Sequence, residues 1–374
     1  MNDFITIIAT GSTFFLALLI FMNPNKVNIK ANYWFGSFIT CIFIFWLFDV
    51  FVLLHLEIKN PVLISYFSAI QFLVAPFFYF SIIYFIEPNR KWKKQDYLHF
   101  LVFIVYTSTV NFIYFKFGNS VPKIIIENYT SIVEIILNLI ITFQFIYYFV
   151  IIHKIISNHK KNILKFVSSS EQYDLRWIEY LTYVVAFLVS VNVFIQYIPF
   201  LNEYYTHLNF IYLLAIFGIA FYHSQQKEIY PFKKHEKKEI IELINEKNSE
   251  TKLSKKVVSD IDLESKKRKL ILIMENEKPY LDGDLNIIKL SKIVAISSHQ
   301  LSYILNTGFN ENFFQFINRY RIEEAKKIIL NSEINNFSLY GIAIEVGFNS
   351  KSSFNTTFKK ITQKTPSEFK KFHL

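Results

Sequence analysis

The chain is poor in cysteine: Cys41 is the only one in 374 residues. One thiol closes no internal disulfide and builds no multi-cysteine metal site, and inside an apolar run it reads as a small core residue. There is no H-E-x-x-H motif, which removes that type of intramembrane metalloprotease. His55, His99 and His153 are scattered near the ends of apolar runs and read as interfacial. No metal site and no cofactor are therefore expected. No catalytic constellation, kinase motif or phosphoacceptor domain is visible, so an enzyme is the least favoured class. The first apolar segment has no basic stretch before it and no small-residue cleavage pattern after it. It reads as a retained span and not as a removable signal.

What is abundant is aromatic and basic. There are 42 Phe and 23 Tyr, mean hydropathy is +0.27, and 40 Lys+Arg give a net charge of +10. Apolar mass and basic charge rarely share one soluble domain, and here they separate along the chain. The expected organisation is a transmembrane helical domain over 1–223, a charged cytoplasmic linker over 224–265 and a DNA-binding domain over 266–374. The fold class is all-α, a polytopic helix bundle followed by a helical domain. A span needs roughly 20 mostly apolar residues to cross ~30 Å of hydrocarbon. Seven stretches approach that, near 4–22, 33–54, 63–86, 97–115, 131–152, 178–200 and 208–222, the last being the shortest.

Lys and Arg accumulate on the cytoplasmic side of membrane proteins. The first, third and fifth connections hold Lys26 and Lys30, then Arg90, Lys91, Lys93 and Lys94, then Lys154, Lys160, Lys161, Lys165 and Arg176. The alternate connections hold only Lys59, Lys116 and Lys123. The N-terminus is therefore expected outside and the C-terminal region in the cytoplasm, as in a multi-pass protein of the bacterial inner membrane. The outer connections are too short for an extracytoplasmic ligand-binding domain, so sensing belongs to the bundle or its mouth.

Polar groups at membrane depth are expensive and hence candidate functional groups. Asp49, Glu134 and Asn138 are the candidate sensing residues, Glu134 and Asn138 sharing a face at i, i+4. For Asp49 and Glu134 a purely structural role stands equally open. Asn192 with Gln196, and Gln71, Asn111 and Gln144, read as interhelical hydrogen-bonding groups. Pro76 is expected to kink the third span. The last apolar stretch has no lysine, which excludes a retinal Schiff base there.

The region 224–265 is rich in Lys and Glu. A short helix over 236–248 would put Ile240, Ile241, Leu243 and Ile244 on one side, a seam too short to argue as a coiled coil. Lys233–Lys238 suits anionic headgroups. Residues 266–374 carry 17 Lys+Arg against 10 Asp+Glu. Here helix patterns pair up. Residues 287–296 are expected to turn Leu290 and Ile293 inward. A serine then caps the helix 299–306, which buries Leu301, Ile304 and Leu305 and presents His299, Ser302, Tyr303 and Asn306. The arrangement recurs: 338–346 buries Leu339, Ile342 and Ala343, and Gly347 suits a left-handed turn. Then 351–361 buries Phe354, Phe358 and Ile361 and presents Lys351, Ser352, Asn355, Thr356 and Lys359. A long helix, 313–330, separates the two units by about 27 Å at ~1.5 Å per residue, against ~34 Å for a turn of B-DNA. Pro366 is expected to open the last helix.

These elements together resemble the AraC family of bacterial transcription regulators. The resemblance rests on Leu290-Ser291-x-x-x-Ala295, Leu301-Ser302, and Asn312-Phe313-x-x-Phe316-Ile317-Asn318-x-x-Arg321-x-x-x-Ala325. It rests equally on Gly347-Phe348-Asn349-Ser350, Phe354-x-x-x-Phe358-Lys359 and Thr365-Pro366-Ser367-x-Phe369. It implies two helix-turn-helix units whose second helices read base edges through His299, Ser302 and Tyr303, and through Lys351, Ser352, Asn355 and Thr356. Lys359 and Lys360 would meet phosphate. The chain departs from the family at Tyr303, where an arginine is common; tyrosine cannot fork onto guanine O6 and N7.

The expected function is a membrane-bound, sequence-specific DNA-binding regulator that couples a membrane signal to transcription as a one-component sensor. Its expected partners are double-stranded DNA, the lipid bilayer, a second copy in a homodimer and a signal molecule. The competing expectation is a transporter or channel-like protein with a regulatory DNA-binding tail.

Overall fold

A computed structural model of the chain describes residues 2–23, 26, 28–55, 61–117, 123–169, 176–197, 205–224, 260–330 and 338–373. It divides into two units: Met1–Ser157 with Leu175–Ile229, and Asn158–Asp174 with Tyr230–Leu374. The described residues are helical apart from turns and one isolated antiparallel bridge, Val167 with Asn286.

The first unit contains α1 (Asn2–Met22), α2 (Ile29–Leu53), α3 (Pro61–Ala69), α4 (Gln71–Ile86), α5 (Leu101–Phe117), the greater part of α6 (Lys123–Ile163), α7 (Arg176–Tyr197) and α8 (Tyr205–Ser224). Five apolar stretches are long enough to cross a membrane: Phe4–Met22, Ile29–Leu53, Ser65–Ile86, Lys94–Lys116 and Ile135–Ile163. Trp177–Val191 and Phe210–Phe221 are shorter. The stretch expected as one span over 63–86 is two helices meeting at Ile70, with Pro76 inside the second. Helix α1 packs on α2 and α8, and α2 on α4. A Cβ on Gly36 would stand 2.8 Å from the Phe21 ring, so α1 and α2 approach closely there. Buried hydroxyls bond within their own helices: Thr13 Oγ1 donates to the carbonyl of Ala9 at 2.8 Å, and Thr10 Oγ1 to that of Thr6. An apolar surround leaves such groups few other acceptors. Gln144 Nε2 donates to the Phe72 carbonyl at 3.0 Å, and the Tyr66 hydroxyl to Asn111 Oδ1; these two amides bond as expected of interhelical groups.

The second unit contains α9 (Asp260–Asn276), a 3-10 turn (Pro279–Leu281), α10 (Ile287–Val294), α11 (Ser298–Tyr303), a π turn (Ile304–Gly308), α12 (Phe313–Leu330), α13 (Leu339–Glu345), α14 (Lys351–Thr362) and α15 (Pro366–His373). It has two hydrophobic cores, and α12 serves both. Its first half gives Phe313, Phe316 and Ile317 to one, and its second half gives Ile322, Ala325 and Ile329 to the other. Helix α9 begins inside the stretch expected as linker and buries Leu270 and Met274, an i, i+4 pair, in the first core. The short helix expected over 236–248 lies outside the described residues.

The stretch 158–169, which the sequence division assigned to the transmembrane domain, belongs to the second unit. Phe166 is 1% exposed within the first core. Hydrophobic phase was misread at two positions. Ile293 is 41% exposed, because the short α10 turns Leu290 and Val294 inward instead. Ile361 is 40% exposed in the last turn of α14, where Thr357 joins Phe354 and Phe358 in the buried stripe.

Candidate nucleic-acid interface

Each of the four helices of the two pairs is capped by a side chain at its start. Asn286 Oδ1 accepts from the Lys289 amide at 2.9 Å to open α10. Ser297 accepts from the Gln300 amide, and Gln300 Oε1 reaches back to the Ser297 amide, both at 3.2 Å. This reciprocal box satisfies two otherwise unpaired donors of α11. Between the two helices Ala295 turns left-handed at φ +60°. Ser291 and Ser298, both buried, share a hydroxyl–hydroxyl hydrogen bond of 3.1 Å across the turn.

The first expected reading helix ends sooner than its sequence pattern predicts. It is α-helical to Tyr303 and then widens into the π turn, and Asn306 Nδ2 donates to the Ser302 carbonyl at 2.6 Å. Leu301, Ile304 and Leu305 are buried as expected. His299 and Asn306 are exposed; Ser302 and Tyr303 are half-buried.

In the second pair Ser338 accepts from the Gly341 amide at 3.0 Å, and Ser350 from the Ser353 amide at 3.2 Å. Lys351, Ser352, Thr356, Lys359 and Lys360 are exposed, and Asn355 is half-buried. No acidic residue lies on α14, so its outward face is basic and hydroxyl- or amide-bearing. The last helix opens on Pro366, with Glu368 bonding the Thr365 amide at 2.7 Å.

Arg321 joins the two pairs, a role the sequence analysis did not give it. Its side chain is fully buried. Nε donates to the Tyr280 carbonyl at 2.7 Å, Nη2 to the Asp282 carbonyl at 2.7 Å and to Ser168 Oγ at 3.0 Å, and Nη1 to the Ser168 carbonyl at 3.2 Å. Burial lowers its pKa to about 10, partly opposed by Asp282 and Asp284, so the guanidinium stays charged at neutral pH. Gly347 lies against it at φ +91°, where a Cβ would stand 2.7 Å from the Tyr280 carbonyl and 3.0 Å from Arg321 Nε. The turn of the second pair thus rests directly on the 3-10 turn of the first. The signal was present in the sequence. Arg321 lies i+4 from Ile317 and i−4 from Ala325, on the apolar stripe of α12.

In the first unit, Asp49 and Asn138 both line a cavity of about 410 Å³, with Trp46, Gln71 and Tyr212 among apolar neighbours. The side chains of Glu134, Asn192 and Gln196 lie outside those described. Among the described residues no group of three or more His, Cys, Asp or Glu could hold a metal ion.

Residues 290–371 match the family model described as a helix-turn-helix domain. An uncharacterized HTH-type transcriptional regulator from the cgkA 5′ region of Pseudoalteromonas carrageenovora is 32% identical over 103 residues. That match covers 26% of this chain and 59% of that protein. An uncharacterized HTH-type transcriptional regulator of Staphylococcus aureus (strain COL) is 34% identical over 87 residues, 23% of this chain and 11% of that protein. The chain therefore spans less than two thirds of the length of either relative. Among solved structures, the C-terminal domain of the two-component response regulator yesN from Fusobacterium nucleatum is similar at 31% identity. It covers 28% of this chain and 96% of that one, at a TM-score of 0.25. Residues 290–371 form a helix-turn-helix domain, and the curated proteins that share it are HTH-type transcriptional regulators.

Proposed function

We propose that this chain is a membrane-bound, AraC-like, sequence-specific DNA-binding transcription regulator that couples a signal in the bilayer to gene expression. The observation that carries the DNA-binding part is the pair of capped second helices, α11 and α14, each set behind a partly buried helix in a basic domain. Lys351, Ser352, Asn355 and Thr356 on α14, with His299, Ser302 and Tyr303 on α11, are the base-reading candidates. Lys359 and Lys360 are the phosphate contacts.

The membrane reading rests on exposed apolar side chains along helices of spanning length. Phe115 is 90% and Phe143 71% exposed, and none of the apolar window within Lys94–Lys116 is buried. Such surface is costly in water and favourable in hydrocarbon. The folding of 158–169 into the same unit as the C-terminal residues supports the charge-based orientation, because the fifth connection and the C-terminal domain must then share one side of the bilayer, the side on which Lys and Arg accumulate. The cavity at Asp49 and Asn138 suits a small apolar molecule with one hydrogen-bond donor, which makes it the candidate signal site. A homodimer fits the paired half-sites of many helix-turn-helix regulators.

The test is genome-wide DNA occupancy of tagged full-length protein, cross-linked in cells and recovered from the membrane fraction. Discrete sites sharing a motif are expected. A well-expressed protein with no enriched sites would sink the DNA-binding reading and raise the transporter alternative.

A further inference from the structure

The first core of the DNA-binding unit is not built from the C-terminal residues alone. The stretch that follows α6 in sequence enters it through a turn ending at Phe166 and an isolated bridge at Val167. The Phe166 carbonyl accepts from the Ile287 amide at 2.9 Å, and the Ser168 amide donates to the Leu285 carbonyl at 3.2 Å. These two bonds flank the Val167–Asn286 bridge, as in an antiparallel ladder. The Leu164 carbonyl accepts from the Phe314 amide at 3.1 Å, serving a first-turn donor of α12. Ser168 Oγ donates to the Leu285 carbonyl at 2.7 Å, and the Ser168 carbonyl accepts from Asn318 Nδ2 at 3.1 Å and from Arg321. The Phe166 ring completes the apolar contact. Backbone pairing, a buried aromatic anchor and a satisfied serine are what a specific peptide-binding groove provides.

We propose that this groove, between the 3-10 turn, the start of α10 and the middle of α12, is a docking site whose occupant is the chain's own segment 158–169. The segment continues α6, a 41-residue helix whose apolar part belongs to the first unit. Docking therefore makes α6 the mechanical connection to the first helix-turn-helix pair, in place of the linker over 225–259. This coupling rests on the regulator reading above; the docking does not.

Docking is tested on full-length protein in membrane vesicles, with a site for a sequence-specific protease inserted near Asn248. After cleavage the vesicles are washed at about 1 M salt, where screening falls to about 3 Å and adhesion of a basic fragment to lipid is removed. The C-terminal fragment is expected to sediment with the wild-type membranes and to be released by Phe166→Ala. Release of the wild-type fragment would overturn the proposal. A second variant guards against misfolding in the first: Val167→Cys with Asn286→Cys, in a Cys41→Ala background. A non-hydrogen-bonded antiparallel pair has Cα atoms about 4.5 Å apart, within disulfide range. Mild oxidation should join the two cleavage fragments on a denaturing gel until they are reduced; failure to join would count equally against docking.

Coupling is read separately, as reporter transcription from promoters beneath the mapped sites. Four glycines inserted between Ser157 and Asn158 should change output at least tenfold, and the same insertion near Asn248 should leave it unchanged. The reverse pattern would assign transmission to the linker. Absence of any mapped site would count against the regulator reading while leaving the sedimentation result intact.

Discussion

Arg321 shows how one side chain holds a domain together without a carboxylate partner at hydrogen-bond distance. Its fork spans three backbone carbonyls, one hydroxyl and, at 3.4 Å, the Asn318 amide oxygen, a geometry that a lysine's single ammonium does not reproduce. Arg321→Met would strand those acceptors in the core and should cost about 3–5 kcal/mol, with Arg321→Lys intermediate. Thermal unfolding of the second unit in the full chain, followed by hydrogen exchange, checks both. A second residue sets acid sensitivity. Burial pushes the Glu324 carboxyl up, but Lys278 at 2.7 Å and Lys327 at 3.3 Å outweigh it and hold its pKa below the ordinary value. A depressed carboxylate contributes stability that is complete above the unfolded pKa of ~4.3 and is lost as pH falls through the lower folded value. Pulse proteolysis with pepsin between about pH 5 and 3 should show a steeper loss in the wild type than in Glu324→Gln. Because Lys278 and Lys327 are substantially exposed, the difference should not exceed about 1 kcal/mol.

At the scale of elements, Gly347 and α14 make separate predictions. Gly347→Ala puts a Cβ into the Tyr280 carbonyl at a positive φ, so the turn must move. We expect a loss of about 2 kcal/mol or more and a splayed second pair, visible as increased exchange across α13 and α14. On α14, Lys359→Ala should weaken binding to all sequences alike and reduce the salt slope by about one. Asn355→Ala should instead relax preference at one base pair, by about 1–3 kcal/mol in a competition assay. These elements were largely legible beforehand, because local chemistry dictates them. The serine pair before 299–306 marks a cap, Gly347 marks the turn, and the 313–330 helix has the bounds its periodicity gives; the caps at Ser338 and Ser350 emerge only in the structure. The misread positions are those where tertiary packing decides. Ile293 and Ile361 have apolar phase but no core to meet, and the helix expected to run to Asn306 gives way after Tyr303 to a π turn that no sequence period encodes. Helix α9 was missed because its charged first turns resemble the linker before them. Asp49 and Asn138 were selected as polar groups in apolar helices; that they line one cavity depends on how the helices pack.

At the scale of the whole molecule, the least legible feature was the division of one domain between two distant stretches of chain. Short polar connections between spans are ordinarily solvated loops, and nothing in the run from Leu164 to Ser168 distinguishes it except Phe166 in a basic stretch. The consequence for stability is direct. A fragment comprising 260–374 lacks the ring that fills the first core and the Ser168 groups that Arg321 bonds. Truncating a buried phenylalanine alone costs about 3–5 kcal/mol. The isolated fragment should therefore melt well below the same residues in the full chain, and adding a synthetic peptide of residues 158–169 in trans should raise its Tm. No shift at saturating peptide would mean that the C-terminal residues are self-sufficient.

The same division bears on how the protein is made. Ser168 leaves the ribosome 153 residues before Arg321, which at 5–20 residues per second is a wait of about 8–30 s. If the helices over 176–224 are membrane spans, as proposed above, they insert during that interval, and only a chain threaded with residues 158–169 on the same side as its C-terminus can close the first core. Correct membrane topology would thus become a condition for completing the DNA-binding fold, so that a misinserted copy would be weakened in its regulatory domain as well as misplaced in the bilayer.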